Sequence, residues 1–265
     1  MELTLTSAVA PNLRILEATT STNDVLAGLA AVGDEPHLST VVTLDQTAGR
    51  GRLGRVWVAP RGKALAASVL LRPGSTDGGL SADQVGWLPL IAGVAMCQSI
   101  DALVGGGRTG LKWPNDVQID GLKVCGILAE LLPSGAVVMG SGVDLTLEEA
   151  ELPVPTATSL ALAGVTERGD ELVDRVLAGY LIALRDLIER YVAFGADPEA
   201  SGVHRVVTEW CRTLGRRVRV MLPGGRDLFG LATGIDATGC LVVRSDTDDE
   251  IIAVAAGDVT HLRYE

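Results

Sequence analysis

Six basic side chains, Arg50, Arg52, Arg55, Arg61, Lys63 and Arg72, fall between Gln46 and Thr76, a stretch with no aspartate or glutamate. The whole chain carries 22 Lys and Arg against 33 Asp and Glu, a formal net charge of −11, so this stretch is a positive island in an acidic protein. Its centre, Gly49-Arg50-Gly51-Arg52-Leu53-Gly54, alternates guanidinium forks with residues that leave backbone N–H groups exposed. That chemistry suits a small anion with several oxygens; a solvated loop with incidental charges is the plainer alternative. The same letters match the Gly-x-Gly-x-x-Gly dinucleotide fingerprint, which needs the glycines to close a strand and open a helix, with an acid about 20 residues on. Here the chain runs on as Arg55-Val56-Trp57-Val58-Ala59-Pro60, and β-branched residues ending in proline argue against that helix and against the dinucleotide reading.

A second group of candidate residues follows. Lys112-Trp113-Pro114-Asn115-Asp116 ends a short strand in a turn, and Lys123 stands two residues past the Asp120-Gly121 turn, at the edge of the apolar run Val124 to Leu128. A lysine there either snorkels or serves as a fixed cation for a ligand's oxygens. Gly126 removes a side chain where a ligand could approach the strand backbone. Asn115 and Asp116 are either polar or metal-facing groups or simply turn formers, and for Asp116 alone the turn is the better reading. Gly140 and Gly142 mark either close backbone approach or a bulge.

The elements that must position these groups can be read from periodicity and caps. Thr19 to Thr22 supply hydroxyl caps ahead of Val25, Leu26, Leu29 and Ala30 at helical spacing, after a short leader. Residues 38–44 and 65–71 read as strands flanking the arginine loop, and a helix runs from a cap at Ser81 to Val104. Residues 117–119, the Asp-Gly pair and residues 122–131 form a hairpin, followed by a strand over 136–145 and an exposed, acid- and proline-rich connection over 148–158. Leu172, Val176, Tyr180, Leu184, Leu187 and Tyr191 mark a long amphipathic helix, and a shorter one spans 203–214. From Arg216 short β-rich runs are punctuated by Pro223, Gly224, Gly225, Gly234, Gly239 and Gly257, the texture of a small barrel. The expected architecture is α+β, a mixed β-sheet with flanking helices over residues 1–214, plus a small β-barrel domain over 215–265.

Composition removes several function classes. Only four Trp, three Tyr and two Phe are present, too few for stacking platforms along single-stranded nucleic acid, and the net negative charge disfavours nucleic acid and anionic membranes alike. Cys97, Cys125, Cys211 and Cys240 lie 28 or more residues apart, and His37, His204 and His261 are equally scattered, so no metal-ligand spacing exists. The thiols read as buried and reduced. The N-terminus lacks a positive region and carries Glu2, which argues for a cytoplasmic protein, and the apolar run Trp87 to Cys97 is half a membrane span and reads as a buried helix.

Taken together, Ser21-Thr22-Asn23, Gln46, "GRGRLGRVW" from Gly49 to Trp57, "KWPND" from Lys112 to Asp116, "KVCGILAE" from Lys123 to Glu130 and "ATSL" from Ala157 to Leu160 resemble, in order and over most of the chain, the biotin protein ligases (biotin–[acetyl-CoA-carboxylase] ligases). The resemblance implies a class II synthetase-like catalytic domain with an SH3-like C-terminal domain. It implies that biotin and Mg-ATP give biotinyl-5′-AMP, from which a lysine of a biotin carboxyl carrier domain takes the biotinyl group. It places Ser21, Thr22, Asn23 and Gln46 on biotin, Gly126 against the ligand, and Trp57 and Asn115 around the adenylate. Gly49, Gly51, Arg52 and Lys112 complete the biotin and adenylate contacts. Lys123 and Arg50 are the implied catalytic cations and Asp116 the implied Mg²⁺ contact. Asp144 departs from the family pattern, in which Asn is usual, and puts that residue's nucleotide contact in doubt. Repressor members carry a DNA-binding domain ahead of the ligase domain; with Ser21 so near the start, the expectation is a ligase that is not a biotin-operon repressor. A lipoate or octanoyl transferase of the same fold using Cys125, or a non-catalytic biotin or adenylate sensor, are the alternatives. An exposed edge strand leaves a homo-oligomer open.

Overall fold

The computed structural model describes residues 1–73, 80–222, 227–255 and 258–261. In chain order these form α1 (Thr4–Val9), β1 (Leu13–Leu16), α2 (Thr22–Val32), β2 (Thr40–Thr43), β3 (Gly49–Arg50), β4 (Val56–Trp57), β5 (Ala64–Leu71), α3 (Ala82–Val85) and α4 (Leu88–Val104). Then come β6 (Thr109–Lys112), β7 (Asp116–Ile119), β8 (Leu122–Leu131), β9 (Val137–Asp144), α5 (Gly169–Ala193) and α6 (Val203–Trp210). The C-terminal part holds β10 (Arg217–Met221), β11 (Asp227–Ile235), β12 (Leu241–Ser245), β13 (Ile251–Val254) and β14 (Asp258–His261). Of the turn residues expected there, Pro223, Gly224, Gly225 and Gly257 lie outside the described residues.

A seven-stranded sheet with order β1-β2-β5-β9-β8-β7-β6 organises the larger part. All its neighbours are antiparallel except β1 and β2, which makes it a mixed sheet of the α+β kind rather than a doubly wound one. Strand β5, third in this order, is buried at all eight residues because both faces are covered. Leu65, Ala67, Val69 and Leu71 join the main core with α4 and α5, while Leu70 joins Val41, Val138 and Leu26 of α2 on the other face. Side-chain alternation therefore assigns Ser68, Ala66, Gly140, Gly142 and Gly126 to the α2 face. That face carries the site.

The helices follow the sequence reading with three refinements, the first being that α6 ends at Trp210 rather than at 214. The segment from Ser81 to Val104 is two helices, because Gly86 and Trp87 interrupt it; Trp87 caps α4 and its indole Nε1 donates to Ala237 O at 2.8 Å. Most of α4 is buried against α5, where Gly179 lets Ser99 approach and donate to Val176 O at 2.7 Å, so its apolar run is core. The expected leader is instead α1 and β1. Asp174 of α5 accepts from Leu5 N at 2.9 Å and Thr6 N at 2.8 Å, supplying from a distant helix the cap that α1 lacks locally. The Asp120-Gly121 turn has φ of 51° and 82°, the type I′ pair that suits a two-residue hairpin.

The smaller part is a five-stranded antiparallel sheet, order β13-β12-β11-β10-β14, of SH3-like type. It is docked rather than tethered. Val218, Val220, Leu241 and Val243 share one hydrophobic cluster with α4 and the large sheet, and Trp113 Nε1 donates to Gly239 O at 3.1 Å.

Candidate active site

The floor of the site is a patch of backbone left bare by small residues. Ala66 pairs with Gly142, Gly142 with Gly126, and Gly126 with Asp116, giving a row across four strands; Ser68 and Gly140 form the next row. A Cβ on Gly140 would lie 2.4 Å from Asn23 Oδ1, and one on Gly142 would lie 2.7 Å from the Trp57 ring. The two glycines thus mark close approach, the first of the two readings left open above, and neither lies at a bulge.

The one bulge in this region sets the lysine. Between Val117 and Gln118 the β7/β8 register slips, and Lys123 pairs where Val124 would otherwise stand. The extra residue turns Lys123 onto the bare face, where its Nζ would be 3.1 Å from a Cβ on Gly126. Nζ is bonded to Asp116 Oδ1 at 2.6 Å. The "ATSL" segment straps the same strand ends, since Thr158 N donates to Lys123 O at 2.7 Å and Leu160 N to Asp144 O at 3.0 Å.

At the other end stands the N-terminus of α2. Ser21 caps it, accepting from Asp24 N at 3.3 Å. Gln46 Oε1 accepts from Thr22 N at 2.8 Å and Thr22 Oγ1 at 3.1 Å, and Ser68 Oγ donates to Asn23 Oδ1 at 2.6 Å. Asn23 Nδ2 is buried without a partner. A buried, unmade donor costs about 1–3 kcal/mol, so this one is held ready for an acceptor that enters the cavity.

The roof is the arginine segment. It folds as a two-stranded ribbon, β3 against β4, with Leu53 at φ 57°, and no helix follows the glycines; the dinucleotide reading fails as expected. Trp57 lies over Gly142, and Gly49 lies under Trp57 and Gln46, where a Cβ would be 2.4 Å from Trp57 O. Arg52 Nη1 donates to Asn115 Oδ1 at 3.1 Å, while Asn115 Nδ2 donates to Ile127 O at 2.8 Å.

The positive island is compensated in three dimensions. Arg50 forms two bonds to Asp24, at 2.7 and 2.6 Å, and two to Glu130, at 2.9 and 3.3 Å. Arg61 reaches Glu17 and Asp45, and Lys63 reaches Glu151 and Glu148. The Arg50 guanidinium holds the Asp24 carboxyl below its usual range, and the two acids hold Arg50 firmly protonated. These acids come from four separate segments, which is why the local count showed none.

A cavity of about 170 Å³ results, lined by Ser21, Thr22, Asn23, Gln46, Arg50, Gly51, Arg52, Trp57, Asn115, Asp116, Lys123 and Gly126, together with Arg55, Leu53, Val56, Ile127, Leu128, Gly140, Ser141 and Gly142. Of the residues singled out from sequence, Gly49 supports the wall from behind and Lys112 is not on the lining. Ser68 was missed, although a lone hydroxyl inside an eight-residue apolar strand was a visible signal. Trp113, which sits in a site motif, is fully engaged in docking the small sheet. Cys125 points into the core, 1% exposed, and burial pushes its thiol far up.

Hydrogen-bonding and closely fitted at one end, cationic at the other, such a cavity suits an enzyme that joins a carboxylic acid to a phosphate-activated partner. Comparison with known proteins narrows the class. Residues 15–144 match the biotin/lipoate A/B protein ligase family and residues 213–262 the biotin protein ligase C-terminal domain. The chain is 37% identical to the biotin–[acetyl-CoA-carboxylase] ligase of Mycobacterium tuberculosis, over 95% of this chain and 89% of that protein. It therefore belongs to the biotin/lipoate A/B protein ligase family. Its fold matches that of the Aquifex aeolicus biotin protein ligase solved with biotin and ATP, with a TM-score of 0.73 and 24% identity over 96% of this chain and 99% of that one. It also matches the Leishmania major biotin protein ligase solved with biotinyl-5-AMP, with a TM-score of 0.59 and 25% identity over 93% and 99%.

Proposed function

We propose that the protein activates biotin with ATP to biotinyl-5′-AMP and transfers the biotinyl group to a lysine of a biotin carboxyl carrier domain. The observation that carries this reading is the two-ended cavity: an unpartnered buried amide donor at the α2 end and a lysine brought onto the bare face by a bulge at the other. In the first step a carboxylate oxygen of biotin bonds to the α-phosphorus of ATP and the bond to the β-phosphate oxygen breaks, releasing pyrophosphate. Charge then shifts onto the leaving group, and a cation whose contact strengthens in the transition state lowers the barrier. Lys123 is assigned that role, with Arg52, which lines the same cavity, as a second cation. Arg50 takes part by exchanging Asp24 and Glu130 for the ligand's anionic oxygens. In the second step the acceptor amine attacks the acyl carbon and AMP leaves.

Ser21, Thr22, Asn23 and Gln46 are assigned to biotin, with Gly126, Gly140 and Gly142 as its floor. Trp57, Gly51 and Asn115 enclose the adenylate, and Gly49 shapes the roof. Among the described residues no group of three His, Cys, Asp or Glu side chains could hold a metal, and the one carboxylate lining the cavity, Asp116, is bonded to Lys123. Mg²⁺ would therefore enter on the phosphates of ATP, with Asp116 the carboxylate of the cavity that could meet it. The four thiols are free, in keeping with a cytoplasmic setting.

A thioester-using transferase would need a nucleophile in the cavity, and Cys125 faces away from it with its thiol held protonated. The test is pyrophosphate release in the presence of biotin, lipoate or octanoate. Release with biotin alone supports the reading; release with lipoate or octanoate and not biotin, or no release, overturns it.

A further inference from the structure

One buried carboxyl near the site has no assigned role. Asp144 closes β9 on the same face as Gly140 and Gly142, two residues beyond the glycine beneath Trp57, and is 8% exposed. Its side chain makes no hydrogen bond among the described residues, and Lys123 is the charge that acts on it. That lysine is already bonded to Asp116. The other titratable groups around Asp144 offer no relief. Cys125 on β8 is a buried protonated thiol, and Lys63, which precedes β5, turns its ammonium to Glu151 and Glu148. The strap residues whose backbone bonds Lys123 and Asp144, Thr158 and Leu160, carry no charge.

Two carboxyls thus stand against one ammonium, and the more deeply buried of them is unpaired. An ionised carboxylate in that position is disfavoured by burial, and it would weaken the hold of Lys123 on any phosphate that reached it. We propose that Asp144 is a positioning residue for Lys123, uncharged when nucleotide binds, so that binding of ATP is coupled to protonation of this carboxyl. Burial pushes the group up to about 7, which Lys123 only partly offsets, so the coupling falls in the neutral range. The sign follows directly. Below that value Asp144 is already neutral and ATP binds without further proton uptake; above it each binding event takes up a proton and affinity falls as pH rises.

This inference rests on the adenylation reading given above. The experiment measures pyrophosphate release as a function of ATP and of pH, from 6.5 to 8.5, for the full chain and for Asp144→Asn, with the KM for biotin measured alongside. For the native chain the KM for ATP is expected to rise about 10-fold or more across the range, as one group titrating near 7 requires. In Asp144→Asn the rise is expected to shrink to about 2-fold. Parallel profiles in the two proteins would overturn the inference while leaving the ligase reading intact, whereas absence of pyrophosphate release from the native chain would overturn the ligase reading itself. If Asp144→Asn does not fold, calorimetry of Mg-ATP binding to the native chain at pH 8 in buffers of different ionisation enthalpy decides the matter. Uptake of about one proton supports the inference and uptake near zero contradicts it.

Discussion

Gly140→Ala adds one methyl group at the point where the floor meets the hydrogen-bonded end of the cavity. Its Cβ would lie 2.4 Å from Asn23 Oδ1 and 3.0 Å from Asn23 Nδ2, inside any tolerable contact. Asn23 has little freedom to yield, since it is 5% exposed in the first turn of α2 and accepts from Ser68 Oγ at 2.6 Å. Overpacking of this kind costs about 1–3 kcal/mol, which for a chain of this size lowers Tm by roughly 2–10 °C. The functional effect is separable. Asn23 must leave Ser68, and its unpartnered Nδ2 then no longer points where the native cavity holds it. Loss of one such buried contact is worth about 1–3 kcal/mol, or roughly 5- to 150-fold in the Kd for biotin. Calorimetric titration with biotin and a thermal melt read the two effects on the same sample. A biotin Kd within 2-fold of native would refute the assignment of Asn23 and Gly140 to the ligand, whatever the melt showed.

Three further outcomes are expected. Lys123→Ala should slow pyrophosphate release by ~100-fold or more in kcat while leaving the KM for biotin within a few-fold, because the lost cation acts on developing phosphate charge; a near-native kcat would remove Lys123 from its role. Cys125→Ala should keep most of the biotin-dependent turnover, since the thiol is buried on the core face, and loss of turnover in a folded protein would revive the thioester reading. Asp174→Ala should destabilise the protein by about 1–2 kcal/mol at pH 7, read by urea denaturation, by stripping α1 of its cap. Burial raises the Asp174 carboxyl, but the N–H and O–H donors of Leu5, Thr6 and Thr4 outweigh it and leave it below the usual range. A depressed carboxyl stabilises above its unfolded value of about 4 and loses that contribution as pH falls through the folded value, so the gap between native and Asp174→Ala should close at acid pH.

Most of the site was readable in the sequence because its parts are local signals. The Asp-Gly turn, the Ser21 cap and the apolar run of β5 each depend on a few adjacent residues, and the ordered motifs fall on the segments that the fold brings together. Properties that depend on pairing across the sheet were not readable. The bulge that aims Lys123 exists only in the register of β7 against β8. The acids that neutralise Arg50 lie 26 residues before it and 80 residues after it, so a window count of charge described the segment correctly and the site wrongly. The cap of α1 comes from Asp174, 168 residues from Thr6, and no local pattern could announce that helix. Trp113 shows the converse: it lies inside one of the ordered motifs, yet its indole is committed to fastening the small sheet.

Whether one cavity both makes and hands on an activated biotin is decided by a chase. The protein is mixed with labelled biotin and Mg-ATP, freed of unbound label, and then given a biotin carboxyl carrier domain without further ATP. Label is expected to stay with the protein as biotinyl-5′-AMP and to move to a carrier lysine on addition of the domain, with release of AMP. Label that elutes as free biotin before the chase, or that stays bound without transfer to a competent carrier, would contradict this expectation.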